Sequence, residues 1–529
     1  MKNKKLIGIT LAGAVALSAV SCSTDKFLDV NTTPNSPTAV TMPVLLSSTI
    51  INTGFMVTND LGRATSLLTQ QYAGIANQPY SYDTYILRGS FDNQWNGELY
   101  GGTLINSQTL IDLAATKASP AYAGIAKLLK AYNFAVVTDL YGDIPYSQAL
   151  LGNANLHPRY DKQEDIYKGN AALGIQGLIA LVQEGLADLD KVSAAKPGVN
   201  DDPVYGKTAN NVVQWKKMGN TLLLKLANTI SIKAGDLATA TINAAAAGAF
   251  TTNADDFEIP FGSSVGNQNP LYLYNYVTRQ DDQMLSQTIL NAMNAQDDPR
   301  LPIYFTPTPT PENTPTSQVN TTGTLTRIPG PLVNGVPTPA FLTFTGFING
   351  NGITPPSRPL GYRSRYNTYI RGVAGEAPAR LLSNAQRLFI LAESVLTLPG
   401  VTVTGQTAQT LYQAAIRASM TKAGITDAAV TTYFTTHPTV ATLTTSSTAA
   451  AQQQILTQKW ISSVGNGFEP YNDYRRTGFP ALGAVLNASG DDNTLPKRFP
   501  YPLSELTANG GAENQNATIR TSVKVWWGL

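Results

Sequence analysis

"AYAGIAKLLKAYNFAVVTDLYG", residues 121–142, sets the period by which the rest of the chain is read. Ile125, Leu128, Leu129, Tyr132 and Val136 recur three and four residues apart, which places them on one stripe of an α-helix. "GLIALVQEGLADLD" (177–190) repeats the pattern with Leu178, Leu181, Val182, Leu186 and Leu189. "VQWKKMGNTLLLKLANTISIKAG" (213–235) runs from Trp215 through Met218, Leu222 and Leu226, with a stop expected at Gly235. "ARLLSNAQRLFILAESVL" (379–396), "AQTLYQAAIRASMTKAG" (408–424) and "AAQQQILTQKWISSVG" (450–465) add further helices, the last two ending at glycines suited to C-caps.

Helices of this length separated by short breaks pack as antiparallel hairpins. The expected fold is therefore mainly α, a degenerate tetratricopeptide-like superhelix with long irregular loops and a few short strands. Residues 41–529 read as a single domain. Within it, 299–378 differs, because "PTPTPENTPTSQVNTTGTLTRIPGPLVNGVPTP" (307–339) is too rich in proline to be helical. It reads as a loop-rich excursion with short strands on one side of the scaffold.

Only 14% of the 529 residues are charged, against the usual ~25%, while 43% are hydrophobic. The surface is polar but weakly charged. Three lysines, Lys2, Lys4 and Lys5, precede an apolar run, "LIGITLAGAVALSAV", that is short for a membrane span and is followed by small residues. Cys22, the single cysteine, comes next, and the segment reads as a lipoprotein signal peptide (1–21) with Cys22 lipidated and residues 22–40 forming a tether. Without those three lysines, 34 basic residues face 35 acidic ones, so a nucleic-acid partner is excluded. One cysteine excludes an intramolecular disulfide and any CxxC metal or redox site.

The sequence offers little catalytic machinery. His157 and His437 each sit beside a proline with no nearby histidine or cysteine, and GxSxG, P-loop and complete GxGxxG patterns are absent. "SMTK" (419–422) followed by "RTG" (476–478) imitates the serine acyl-transfer boxes, but the middle element is missing and arginine replaces lysine in the third. The acidic doublets Asp255-Asp256, Asp281-Asp282 and Asp297-Asp298 read as solvated turns, with a structural calcium ion the alternative. No cofactor and no metal is otherwise implied. Glu393 and Glu469 read as ion-pair partners within the core.

Several blocks, in order, carry a resemblance. "YGDIPYSQAL" (141–150), "QWKKMGNTLLLKLANTIS" (214–231), "DDPRLPIYF" (297–305), "SNAQRLFILAE" (383–393), "ILTQKWISSVGNGFEPYNDYRRTGFPAL" (455–482) and "PKRFPYPLSE" (496–505) are similar to the signature blocks of SusD/RagB-type outer-membrane lipoproteins. "CSTDKFLDVNTTPNSPTAV" (22–40) resembles their mature N-termini, and the SusD-like subgroup is the nearest in character. The resemblance implies a lipid-anchored, non-catalytic protein that binds a nutrient, a glycan or else a peptide, at the outer membrane, facing the extracellular side. It also implies a SusC-like TonB-dependent transporter as partner. A surface glycoside hydrolase is the enzymatic alternative.

Within the last long block, Lys459, Glu469, Asp473, Arg475 and Arg476 crowd around Trp460, Phe468, Tyr471 and Tyr474. Guanidinium groups stacked on rings and paired with carboxylates make rigid braces, so this cluster is expected to hold the fold. Ligand recognition is sought in aromatic stretches lacking helical periodicity. "NQPYSYDTYILRGSFDNQWNG" (77–97) supplies Tyr80, Tyr82, Asp83, Tyr85, Arg88, Trp95 and Asn96, and "NQNPLYLYNYV" (267–277) supplies Tyr272, Tyr274 and Tyr276. If extended, each stretch presents its alternate tyrosines on one face.

Overall fold

A computed structural model of the chain describes residues 40–308, 341–351, 363–509 and 519–529, with strands at 325–329, 332–333 and 336–337. The signal peptide, Cys22, the tether as far as residue 39 and the central part of the excursion lie outside the described residues. Helices α1 (Met42–Thr58), α2 (Asp60–Leu68) and α3 (Asn77–Asp83) open the fold. After a π-helical stretch at Gln94–Leu104 come α4 (Ile105–Thr116), α5 (Pro120–Tyr141), α6 (Leu178–Leu189), α7 (Asn211–Ile230) and α8 (Gly235–Ala245). A second set comprises α9 (Asn384–Thr397), α10 (Ala408–Lys422), α11 (Thr448–Ser462) and α12 (Phe468–Thr477). Each helix from α4 to α7 packs on its successor, and α9 packs on α10 and α11, so the described body is a mainly helical hairpin array.

The single stripe expected on α5 is too narrow. Nearly every residue from Ala121 to Tyr141 is buried, because α1, α4, α6, α7 and the π-helical stretch enclose the helix. Among its polar members, Asn133 Nδ2 donates to Thr53 Oγ1 at 3.0 Å. Fully burying one leucine-sized side chain contributes about 1.5–3 kcal/mol. The crossing of α5 and α6 requires glycine, since a Cβ on Gly124 would lie 2.7 Å from the Gly185 carbonyl oxygen.

Two helix boundaries differ from the sequence reading. α7 ends at Ile230, whose carbonyl accepts from the Lys233 and Ala234 amides, and Gly235 opens α8 instead of closing α7. Asp236 in the first turn of α8 favours that start through the helix dipole. Residues Ala379–Leu382 are a strand, not the first turn of α9, and the Ser383 hydroxyl caps α9 by accepting from the Gln386 amide at 3.1 Å.

Strands are few and short: β1 (Tyr72–Gly74), β2 (Phe257–Ile259), β3 (Gln283–Leu285) and β4 (Ala379–Leu382) pair antiparallel as β1–β3 and β2–β4. In the excursion Leu325–Pro329 pairs with Phe341–Thr345. Its two ends are stapled together. Phe305 and Tyr366 form an antiparallel bridge, and the Tyr72 ring stacks on Tyr366 at 4.0 Å while its hydroxyl accepts from the Tyr366 amide at 2.7 Å.

The two helix sets are joined by α12. Arg476 donates to both Glu393 oxygens on α9 (2.7 and 2.6 Å) and to Asp473 Oδ1 at 2.8 Å, while Lys459 on α11 reaches Asp473 at 2.9 Å. Asn228 on α7 and Gln452 on α11 also donate to Glu393, at 3.0 and 2.8 Å. Lys225 on α7 bridges Glu469 and Asp139 on α5 at 3.3 and 3.5 Å. Arg475 stacks over Tyr471 at 3.9 Å and donates to the Asp139 carbonyl. Arg476 and Glu393 are each only 1% exposed. The cluster is a brace, as its composition implies.

Burial opposes ionisation of Glu393, yet the Arg476 charge and hydrogen bonds override it and hold the carboxyl down to about 2. An unfolded glutamate titrates near 4.3, so this contribution is complete above about pH 5 and is lost as pH falls toward 2. Removing one partner of a buried pair leaves an unpaired charge, and Arg476→Ala is expected to cost about 3–5 kcal/mol in urea unfolding. In Glu393→Gln the acid-side loss of stability between about pH 5 and 2 should be shallower than in the wild type.

Candidate functional site

α3 is helical, so the extended alternation expected for Tyr80 and Tyr82 does not form. Tyr82 is buried and donates to Asp60 Oδ2 at 3.1 Å; Tyr80 is half-buried. Asp83, at the end of α3, is 1% exposed and accepts from Asn349 Nδ2 at 2.5 Å and the Gly350 amide at 2.6 Å. It fastens α3 to the segment that returns from the excursion. Tyr85, at φ 71°, is also buried.

The remaining candidates of the first stretch go elsewhere. Arg88 pairs with Asp491 at 2.9 Å and borders a cavity of about 190 Å³ with Arg498 and Tyr501. Trp95 is 2% exposed, packed among Tyr100, Tyr141 and Tyr501, and its indole donates to Glu505 at 3.2 Å. Asn96 is exposed and donates to Ser504 Oγ at 2.9 Å. Trp95 and Asn96 edge a cavity of about 350 Å³ that includes Leu156 and Glu505.

Tyr272, Tyr274 and Tyr276 are helical as well, in Pro270–Tyr272 and the π-helical turn Leu273–Thr278. A strand would place all three on one face; the helical path puts Tyr272 and Tyr276 together and turns Tyr274 away. Tyr272 and Tyr276 stack at 6.0 Å with planes 4° apart, and Arg365 and Arg371 lie over Tyr276 at 4.1 and 3.9 Å. Tyr274 lies under Arg63 at 3.8 Å and donates to Asp282 Oδ2 at 3.1 Å.

Asp282 also accepts from Asn77 Nδ2 at 2.8 Å, which brings the start of α3 against the second tyrosine stretch. The pairing of β1 with β3 fixes this approach. The result is a half-buried face of tyrosine rings held by guanidinium groups, rimmed by the exposed Asn77, Gln78 and Val277. Rings offer flat surfaces to the C–H faces of a sugar, and amide and guanidinium groups suit its hydroxyls.

Arg63, Arg365 and Arg371 are absent from the sequence candidates. The run "RSRYNTYIRG" (363–372), dense in arginine and tyrosine, is the signal that points to the latter two. The acidic doublets are not solvated turns throughout. Asp255, Asp256, Asp282 and Asp298 are buried, and Lys217, Lys422 and Arg300 neutralise Asp255, Asp256 and Asp298 at 2.7, 3.1 and 2.5 Å. Among the described residues no group of three or more histidine, cysteine, aspartate or glutamate side chains could hold a metal ion. Ser419 accepts from Arg300 at 2.9 Å, Lys422 is paired with Asp256 and Glu258, and Arg476 belongs to the brace, so the serine acyl-transfer boxes form no site.

The model of a SusD-like family, described as "Starch-binding associating with outer membrane", matches residues 34–502. Among solved structures, a chitin-binding SusD homolog from Flavobacterium johnsoniae is 21% identical with a TM-score of 0.72, covering 92% of this chain and 98% of that one. A SusD homolog from Bacteroides uniformis is 22% identical (TM-score 0.70; 92% and 99% covered), and one from Bacteroides fragilis is 24% identical (TM-score 0.68; 92% and 99%). No curated protein matches the chain. Among the described residues no helix is long and apolar enough to cross a membrane.

Burial pushes the Asp83 carboxyl up to about 7, against the opposing pull of its Asn349, Gly350 and Gly74 donors. Its folded pKa lies above the unfolded one, so stability from this group is present below about pH 4 and is lost as pH rises through 7. Urea midpoints from about pH 4 to pH 8 should fall more steeply in the wild type than in Asp83→Asn.

Proposed function

The chain belongs to the SusD-like family, and on that premise we propose that it is a non-catalytic glycan-binding protein of the outer-membrane surface. Cys22 carries the lipid anchor, and bound glycan passes to a SusC-like TonB-dependent transporter. The ligand meets the tyrosine–arginine surface of this turn: Tyr272 and Tyr276 with Arg365 and Arg371 on one side, Tyr274 with Arg63 on the other, and Tyr80 on the adjoining helix. The observation that carries this reading is the meeting of both aromatic stretches at Asn77, Asp282 and Tyr274. The carboxylates along the face support binding over hydrolysis, since Asp60 is committed to Arg63 and Tyr82, and Asp282 to Asn77 and Tyr274. The chitin-binding relative makes chitin the first ligand to try.

The soluble form starting after Cys22 is assayed by pull-down on insoluble chitin and starch, and by calorimetry with their oligosaccharides and with peptides. Tyr276→Ala and Arg371→Ala should weaken glycan binding roughly tenfold or more. Trp95→Ala, which empties a core position, should instead cost about 3–5 kcal/mol of stability. Binding of peptides alone, or release of reducing sugar, would overturn the reading. Independently, Cys22→Ala should move the full-length protein from the membrane fraction to the soluble one.

A further inference from the structure

A second recess lies away from the tyrosine face, between α9 and α10, with a volume of about 460 Å³. That is within the range of small-ligand pockets, roughly 300–1,000 Å³. Leu388, Val403 and Leu411 form an apolar wall, and Asn384, Gln406 and Thr421 add neutral polar groups. The charged lining residues are Arg387, Arg417 and Asp427. Arg417 is neutralised by Asp427 at 2.5 Å.

Arg387 is different. Among the described residues its side chain has no hydrogen-bond or ion-pair partner, and its Nε is buried without one. The Asn384 amide oxygen, one turn before it, is likewise buried and unsatisfied. Burial lowers the Arg387 pKa, and Asp255 is the one charge that opposes this. An arginine in such a place stays charged and lacks its counter-ion. Leaving buried donors unpaired carries a cost that a ligand would relieve.

We propose that this recess is a second ligand site, specific for the carboxylate of an acidic saccharide. The Arg387 guanidinium grips the carboxylate in two parallel hydrogen bonds, Asn384 and Gln406 meet ring hydroxyls, and the apolar wall takes the flat face of the sugar. The saccharide class rests on the proposed function; the preference for an anion rests on Arg387 alone. An extended acidic peptide is disfavoured because the long walls are helices, which offer no strand edge for it to join.

The test is calorimetry on the soluble form starting after Cys22, with digalacturonate, neutral galactobiose and triglutamate as probes. Digalacturonate should bind, more weakly as salt rises, and galactobiose should not bind at this site. Arg387→Gln should weaken digalacturonate roughly tenfold or more, Arg387→Lys less, and Tyr276→Ala not at all. The Arg387 side chain makes no hydrogen bond or ion pair among the described residues, so both variants should melt with the wild type; a large drop in melting temperature would show a structural role and overturn the proposal. Absence of digalacturonate binding, or binding unaffected by Arg387→Gln, also overturns it, and neither bears on the tyrosine face. Binding of triglutamate in place of digalacturonate would overturn the saccharide class.

Discussion

The pairing of Arg476 with Glu393 is the constraint on which the rest depends. Helices α5 and α7 belong to one hairpin set and α9 and α11 to the other, and this pair ties them where α7 meets α9. The bidentate contact admits one geometry, and Asn228 and Gln452 complete the carboxylate's shell from two further helices. Such a pair is costly to desolvate and brings little net stability, but it fixes register, because any shift strands a buried charge. Arg475, Asn472, Lys225 and the indole of Trp527 extend the same network around Asp139.

With the scaffold held in this way, the proposed recognition surface is left to segments that need no regular structure. The tyrosine face is supported from behind by Arg63 on α2, itself paired with Asp60, so its rings are positioned by a helix even though they sit on an irregular turn. Asp83 adds a second fastening at the far end of α3. The proposed binding surface, built of short turns, thus inherits the rigidity of the helices beneath it, which would limit the entropy lost on binding a glycan there.

The helices are legible because apolar spacing over three or more turns is hard to imitate by chance, and the brace is legible because so many charges stand among aromatic residues in one short run. The boundaries at Gly235 and Ser383 are less so. A glycine before an acidic residue suits a start as well as a stop, and "ARLL" fits a buried strand as well as a helix. The tyrosine stretches mislead for a related reason: over five residues, alternate positions 272, 274 and 276 satisfy a strand, while 272 and 276 alone satisfy a helix. Arg63, Arg365 and Arg371 reach the face from distant parts of the chain, and no local pattern announces that.

The staple at Phe305, Tyr366 and Tyr72 has a consequence for how such a chain can change over generations. The neck of the excursion is closed by the scaffold itself, through the bridge and the stacked rings, so the residues between do not have to bring their own ends together. Where a loop must close on its own, each doubling of its length costs only about 0.6 kcal/mol, and here even that charge is largely met in advance. The segment between residues 308 and 341 is in effect an exchangeable cassette. Rewriting confined to that span spares the contacts that Phe347, Asn349 and Gly350 make with the body, which gives selection a place to try new surfaces without risking the fold.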